Sequence, residues 1–299
     1  MKKYVIVTDS CSDLEKEWRE KYEIDYVPMH YSYDDKDVIA SLDWETLSAP
    51  DFYNLMRNGK RVKTSQANAA QFLSAFEKYT RQGYDVLYIA CSSALSASIK
   101  ASCVARDELL AKYPDSKIIC VDALNSCGGE GILCIRASMC RAEGKSIEET
   151  ATFIENYKKY VNQEATVESL TYLKQAGRVS AMSAFFGGLL SVKPIIISDA
   201  SGNNVSIEKV KGRKNSLIRV AERVAQNYIA GDYPDVWIRH CDCYDDAITL
   251  KNEILARLNV AEENFHIGYA GPILGASCGP GMIAVYFNGK EVTYDSTKQ

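Results

Sequence analysis

The sequence predicts an α/β protein of two domains, an N-terminal three-layer α/β/α parallel-sheet domain and a C-terminal α+β domain with a mixed sheet. In the first half, short apolar runs that end in a small or polar residue alternate with helix-like segments, as in βαβ units. In the second half the predicted strands lie closer together, with fewer helices between them. The length of 299 residues suits two domains better than one.

The strands of the first half are predicted from apolar runs. Tyr4-Val5-Ile6-Val7-Thr8 predicts a fully buried strand at 4–8, and residues 86–90 and 118–122 repeat its pattern. Residues 24–33 alternate loosely between apolar and polar and predict a further strand. Because helices separate these runs, the strands are expected to pair in parallel.

Two helix starts in the first half carry a capping box, in which a Ser and a Glu three residues later satisfy each other's backbone N–H groups. These pairs are Ser12 with Glu15 and Ser146 with Glu149. The predicted helices of this half cover 12–22, 69–82, 97–112, 129–143 and 147–161.

The second half is expected to begin near residue 163, which divides the chain into domains 1–163 and 164–299. Gly202-Asn203-Asn204 lies between two strand-like runs and predicts a hairpin turn. The predicted strands of this half are 195–198, 205–210, 236–241 and 282–287, and the predicted helices are 215–229 and 245–258.

Charge and apolar patterning exclude several classes of protein. The 35 basic and 39 acidic residues give a formal net charge of -4, without the basic excess typical of nucleic-acid binding. The first apolar run stops at Asp9, too early for a signal peptide, and no apolar run reaches the roughly 18 residues of a membrane span. We therefore expect a cytoplasmic protein whose ten cysteines are reduced and pack as small apolar residues.

Hydroxyl-rich segments follow the predicted strands of the first half. Parallel sheets bind ligands at the carboxyl ends of their strands, and helix starts present N–H groups that attract anions there. The alternative is that these Ser and Thr residues simply cap helices, and the sequence leaves both interpretations open. The segments are Asp9-Ser10-Cys11-Ser12, Lys63-Thr64-Ser65-Gln66, Ser92-Ser93-Ala94-Leu95-Ser96 and Asp122-Ala123-Leu124-Asn125-Ser126.

Candidates for metal binding and acid–base catalysis are scarce. The protein has three histidines, which leaves few general bases. His240-Cys241-Asp242-Cys243 is the best metal-ligand cluster, but it lacks the second ligand pair of a closed zinc site and also fits a strand end with buried thiols. No Gly-x-Ser-x-Gly elbow of a hydrolase is present. We therefore expect no metal, no cofactor and no catalytic residue.

One apolar segment and the arginine before it remain to be assigned. Gly177 is expected to end a helix, and Arg178 after it either reaches outward to a ligand or lies on the surface beside the helix cap. Residues 184–197 are almost continuously apolar, so they are expected to pack in the core or to line part of an apolar pocket.

Several ordered motifs resemble those of the DegV family of fatty-acid-binding proteins, and the similarity covers nearly the whole chain. Each motif alone is weak, but their order and spacing together are specific. They are Asp9-Ser10-Cys11-Ser12-Asp13-Leu14, Thr64-Ser65-Gln66, Ser92-Ser93-Ala94-Leu95-Ser96, Leu170 to Ser180 with Gly177-Arg178, Lys193-Pro194-Ile195 and Lys211-Gly212-Arg213.

The resemblance implies a carrier that binds one long-chain fatty acid in an apolar tunnel between two α/β domains. The implied carboxylate ligands are Thr64, Ser65, Ser93 and Ser96, and the implied accessory positions are Arg178, Arg213 and Ser277. A fatty acid kinase subunit is the implied protein partner.

One departure from the family pattern bears on that partner. In Gly275-Ala276-Ser277-Cys278-Gly279-Pro280-Gly281, Ser277 stands where the family usually has a histidine associated with phosphotransfer. This argues against coupling to a kinase and leaves lipid binding unaffected. The alternative function is an enzyme that acts on an acyl phosphate or a small anionic substrate, with Asp9 or Cys278 as nucleophile.

Overall fold

The computed structural model describes residues 2–180 and 191–298. In the first half the elements follow in chain order, and they are β1 (Tyr4–Asp9), α1 (Lys16–Lys21), β2 (Ile24–Val27), β3 (Met29–Tyr33), β4 (Lys36–Ala40), α2 (Ala49–Arg57), β5 (Lys63–Ser65), α3 (Ala69–Thr80), β6 (Asp85–Ala90), α4 (Ser98–Lys112), β7 (Ile118–Asp122), α5 (Gly128–Ala142) and α6 (Ile147–Tyr157).

The predicted three-layer N-terminal domain is confirmed. Its parallel sheet has the strand order β2-β1-β6-β7, which we call the N-terminal sheet. Both faces are covered because the strands are apolar on both sides. Val7 and Tyr88 pack against α3 and α4 on one face, and Ile6 and Leu87 pack against α5 and α6 on the other.

Two details of the first half differ from the sequence prediction. Residues 24–33 form two strands, β2 and β3, which Pro28 separates. A proline has no N–H to donate, so a single continuous strand in one ladder is disfavoured there. Strand β3 instead pairs antiparallel with β4 and β5 in a small sheet.

The predicted capping box at Ser12 is also wrong. Residues Ser10–Ser12 form a short 3-10 helix, and the Ser12 hydroxyl donates to the Asp9 carbonyl at 3.0 Å instead of capping. Helix α1 begins four residues later, at Lys16. The second capping box, of Ser146 and Glu149, is confirmed at the start of α6.

The second half begins with β8 (Val161–Thr166), so the predicted boundary at residue 163 falls inside a strand, and we propose a boundary at Val161. The elements that follow are α7 (Leu170–Ala176), β9 (Val179–Ser180), β10 (Val192–Ser198), β11 (Asn204–Lys211), α8 (Arg213–Asn227), β12 (Val236–His240), α9 (Tyr244–Leu255), β13 (Phe265–Tyr269), α10 (Pro272–Cys278) and β14 (Ile283–Asn288).

These strands form the predicted mixed sheet, which we call the C-terminal sheet. Its strand order is β13-β12-β14-β8-β10-β11-β9, with β12/β13 and β9/β11 parallel and the other pairs antiparallel. Helices α8 and α9 pack on one face through a core that includes Leu217, Val220 and Leu250. The predicted hairpin turn at Gly202-Asn203-Asn204 joins β10 and β11.

Helix α5 joins the two halves, because it lies between the N-terminal sheet and the other face of the C-terminal sheet. Nearly all of its residues are buried. Gly128 lies so close to Tyr286 of β14 that an added Cβ would meet the ring at 2.6 Å. The halves therefore share one apolar core, and their facing edges can enclose a cavity. No helix among the described residues is long and apolar enough to cross a membrane.

Candidate functional site

A cavity of about 240 Å³ lies where the carboxyl ends of β1 and β6 face α7 and α10. The four hydroxyl-rich segments predicted from the sequence all contribute to its wall, through Cys11, Thr64 to Gln66, Leu95 with Ser96, and Ser126. This is the edge at which parallel sheets bind ligands. The remaining wall comes from Met29, Cys91, Ala97, Leu173, Ala176, Arg178, Val179, Asn204, Ile273, Leu274, Ser277 and Cys278.

Thr64 and Ser65 are the best-placed hydroxyls of the cavity. They lie on β5, which is held in register by pairing of Thr64 with Tyr31 and of Ser65 with His30. Thr64 is half-buried, Ser65 is exposed, and both line the cavity, so both O–H groups are placed to donate to a bound anion.

The two predicted serines after β6 differ in position. Ser96 lines the cavity, and its hydroxyl lies 2.9 Å from that of Ser98 and accepts the Ser98 amide at 3.2 Å. Ser93 is exposed and is not part of the cavity wall. Its amide donates to the Asp122 carboxylate at 3.2 Å, which turns the loop so that Ser96 reaches the cavity and Ser93 does not.

Most of the remaining cavity wall is apolar and rich in sulfur, and Arg178, Asn204 and Ser277 are its polar members. Leu173, Ile273 and Leu274 supply aliphatic surface, and four sulfur-containing side chains also line it: Cys11, Met29, Cys91 and Cys278. Of the apolar segment 184–197, residues 184–190 lie outside the described residues. Residues 192–197 belong to β10, whose isoleucines are buried in the core and do not line the cavity.

Of the two predicted accessory arginines, Arg178 lies at the cavity and Arg213 does not. Gly177 ends α7 in the left-handed conformation, with φ at 65°, and this turns exposed Arg178 to the rim. Among the described wall residues, Arg178 alone carries a full charge. Arg213 instead donates its Nε–H to Asp246 at 2.8 Å, beside a separate open cleft that Asp246 lines.

The predicted nucleophiles are held in environments that oppose their ionised forms. Cys278 lines the cavity, but burial raises the pKa of its thiol to about 12, so the reactive thiolate is scarce at neutral pH. Asp9 is fully buried and accepts hydrogen bonds from the Tyr88 hydroxyl at 2.7 Å and from the Cys11 amide at 2.8 Å. Burial also raises the pKa of Asp9.

Ser277 occupies a cavity position on α10, where its hydroxyl lies 3.3 Å from the Ile273 carbonyl that it donates to. Sequence reasoning did not assign a role to Asp13, which lies behind the cavity wall. No signal in the sequence indicated its burial, because the helix predicted over 12–22 places Asp13 in the first turn, where acidic residues are common.

These features define a two-domain α/β protein with an almost uncharged, partly enclosed ligand cavity between its halves. The family model described as "Uncharacterised protein, DegV family" matches residues 3–290. A DegV domain-containing protein of Clostridium perfringens is 38% identical over 289 residues, which cover 97% of this chain and 98% of that protein. The chain therefore belongs to the DegV family.

Solved structures of the family share the fold. A DegV lipid-binding protein of Thermotoga maritima has a TM-score of 0.83 at 25% identity and covers 97% of this chain and 100% of its own. A fatty-acid-binding DegV family protein of Streptococcus agalactiae has a TM-score of 0.84 at 25% identity, with the same coverage of 97% and 100%.

Proposed function

We propose that this protein binds a long-chain fatty acid in the cavity and acts as a carrier without catalysis of its own. The observation that carries the proposal is the meeting of four hydroxyl-rich loops on one cavity whose remaining wall is mostly aliphatic and sulfur-rich. The lipid-binding and fatty-acid-binding relatives support it.

The two ends of a fatty acid have different needs, and the cavity wall supplies both. Burial of an acyl chain stabilises the complex by about 0.8 kcal/mol per CH₂, so a long chain binds tightly against apolar walls. Its carboxylate must be hydrogen-bonded, because an unpaired buried charge is costly. We assign that task to Thr64, Ser65 and Ser96, with Arg178 at the rim, and we omit Ser93 because it is not part of the cavity wall.

The same geometry supports a carrier over an enzyme. An acyl-transfer nucleophile must be reachable and ionisable, whereas Cys278 is held as a thiol and Asp9 is enclosed by its own hydrogen bonds. Ser277 cannot take up a proton near neutral pH as an imidazole does. We therefore propose that phosphotransfer chemistry, and with it coupling to a fatty acid kinase, does not run through this position.

The direct test is to identify the lipid that the protein carries. Purified protein is extracted with organic solvent, and the extract is analysed by mass spectrometry. We expect one acyl chain per protein. Delipidated protein should then show a higher melting temperature with oleate or palmitate, since a ligand that binds the folded state stabilises it.

Two matched variants sharpen this test. Thr64→Val should reduce the thermal shift, and Ser93→Ala should leave it unchanged because Ser93 lies outside the cavity wall. Recovery of no acyl chain, together with no thermal shift for either fatty acid, would refute the proposed function.

A further inference from the structure

Asp13 is a buried carboxyl group at the junction of the two halves. It follows the 3-10 turn after β1, in the left-handed conformation with φ at 49°, and it is 4% exposed. Among the described residues, neither of its carboxylate oxygens has a hydrogen-bond partner. A carboxylate in this position is costly to ionise, because burial removes water and the nearby Gly271 amide, Cys127 thiol and Arg239 compensate for that loss only in part.

The backbone of the second half closes tightly over this carboxyl group. Gly271, the residue that precedes α10, lies so close that a Cβ added to it would meet Asp13 Oδ1 at 2.3 Å. The glycine permits this approach because it has no side chain. Asp13 is therefore held directly under the start of α10, the helix that carries Ile273, Leu274, Ser277 and Cys278 into the cavity wall.

Charged and titratable groups face Asp13 from every side, but they do not neutralise it. Buried Arg239 of β12 is its cationic neighbour, and Arg239 is already engaged by both carboxylate oxygens of Glu15. The other facing groups are neutral thiols and phenols that lie in or next to α2, α5, α10, β6, β12 and β14. These groups are Tyr53, Cys91, Cys127, Cys241, Cys278 and Tyr286.

Two of these neighbours connect Asp13 to the ligand site. Cys91 and Cys278 line the cavity, and the charge of Asp13 acts on both thiols. Cys11, two residues before Asp13, lines it as well. The carboxyl group is thus buried close to the cavity wall, in a low-dielectric region where charges interact strongly.

The ionisation of Asp13 is balanced near neutral pH. Burial raises its pKa to about 7, and the Cys127 thiol, the Gly271 amide and Arg239 oppose that rise only in part. A further negative charge behind the same wall would raise the pKa again.

We propose that Asp13 couples fatty-acid binding to the uptake of a proton, its carboxylate taking a proton from solvent as the ligand carboxylate enters the neighbouring cavity. The inference rests on the proposed function. Entry of the ligand anion then leaves the charge of the junction nearly unchanged, and release at higher pH returns the proton to solvent.

The direction of the pH effect follows from linkage. Because binding favours protonated Asp13, fatty-acid affinity is higher at pH 6 than at pH 8. A ligand that raises the pKa of Asp13 by about one would bind about fivefold more tightly at the lower pH.

The experiment is isothermal titration calorimetry of delipidated protein with oleate at pH 7, in two buffers of different ionisation enthalpy. The difference in heat gives the number of protons taken up per oleate. Wild-type protein should take up a fraction of a proton, and Asp13→Asn should take up almost none. Glu164→Gln is the matched control, because the pKa of Glu164 is also raised to about 7 but the groups that face Glu164, which are Arg223, Asn227 and Glu208, do not line the cavity. It should keep the wild-type proton uptake.

Each outcome decides the inference. Equal proton uptake by wild-type protein and Asp13→Asn overturns it while oleate binding, and with it the proposed function, stands. No oleate binding at any pH overturns both.

If Asp13→Asn does not fold, a carbon NMR titration of the wild-type Asp13 carboxyl group decides. The midpoint of this titration should rise when oleate is added, and an unchanged midpoint overturns the coupling. Oleyl alcohol, which has no charge, should leave the midpoint in place.

Discussion

Asp13 in the N-terminal half and Glu164 in the C-terminal half are both buried carboxyl groups, and burial raises the pKa of each to about 7. Their surroundings differ. Glu164 accepts the Arg223 Nε–H at 2.6 Å and the Asn227 amide at 3.2 Å, so it ties β8 to α8. Asp13 has no such partner among the described residues and lies against the cavity wall.

The difference shows that two buried carboxyl groups with similarly raised pKa values can have different structural roles. At Glu164 a cation and an amide replace the lost water, so the carboxyl group acts as a structural connection within the C-terminal domain. At Asp13 the described neighbours replace the water only in part, so the ionisation of Asp13 responds to a charge that enters the adjoining cavity. The predictions below test this contrast, from the largest expected effect to the smallest.

Arg223→Met should destabilise the protein by about 3 kcal/mol at pH 8, because it leaves the buried Glu164 carboxylate without its cation. Urea unfolding measures the free energy. Asn227→Ala is the control and should cost about 1 kcal/mol, since it removes one neutral donor from the same carboxylate. A loss for Arg223→Met no larger than that of the control would show that Glu164 is not a structural ion pair.

Asp13→Asn should flatten the dependence of stability on pH. The folded pKa of Asp13, about 7, is above its unfolded value near 4, so its contribution is fully present below about pH 4 and is lost as pH rises toward 7. Between pH 5 and pH 7 this group should lower the wild-type free energy of unfolding by about 2 kcal/mol.

Urea unfolding of wild-type protein and Asp13→Asn across that pH range measures this difference. Parallel curves for the two proteins would contradict the balanced ionisation of Asp13. Glu164→Gln should also reduce the slope, but it should leave oleate affinity at each pH unchanged, which separates the two roles.

Gly271→Ala should destabilise the protein by about 2 kcal/mol, because its Cβ would meet the Asp13 carboxylate at 2.3 Å and displace the start of α10. Combining it with Asp13→Ala should recover part of the loss, since the smaller side chain removes the contact. Thermal unfolding of the four proteins completes the cycle. Strictly additive losses would show that Gly271 and Asp13 do not meet.

Thr64→Val should weaken oleate binding about tenfold, the loss of one hydrogen bond to a charged group of about 1.4 kcal/mol. Calorimetric titration at pH 7 measures the dissociation constant. Ser93→Ala should change it less than twofold, because Ser93 is exposed and not part of the cavity wall. A larger effect at Ser93 than at Thr64 would place the carboxylate site elsewhere.

Much of the architecture could be predicted because local patterns and tertiary packing agree. The capping box at Ser146, the left-handed Gly177 and the hairpin at residues 202–204 depend on contacts within a few residues, and each is found. Residues 24–33 show the opposite case. Their alternation continues through Pro28, but the missing N–H of the proline sends the two parts into different sheets.

The location of the candidate site could be predicted from the sequence more readily than the contacts of its individual residues. Strand ends in a parallel sheet meet at one edge, so the four hydroxyl-rich loops were expected to converge. The contacts within one turn decide which serine reaches the cavity. The Asp122 carboxylate accepts the Ser93 amide there, and Ser96 lines the ligand site. That contact joins loops 29 positions apart.

The sequence by itself determined the two-domain α/β class, the order of the main helices and strands, and the hydroxyl-rich edge, because these follow from short-range periodicity and strand order. Only the tertiary structure decided that Arg213 lies beside another cleft, that Ser93 is outside the cavity wall, and that Asp13 is buried under Gly271. Burial and charge pairing depend on segments more than 200 residues apart, as between Asp13 and Gly271, and no local pattern encodes which of them will meet.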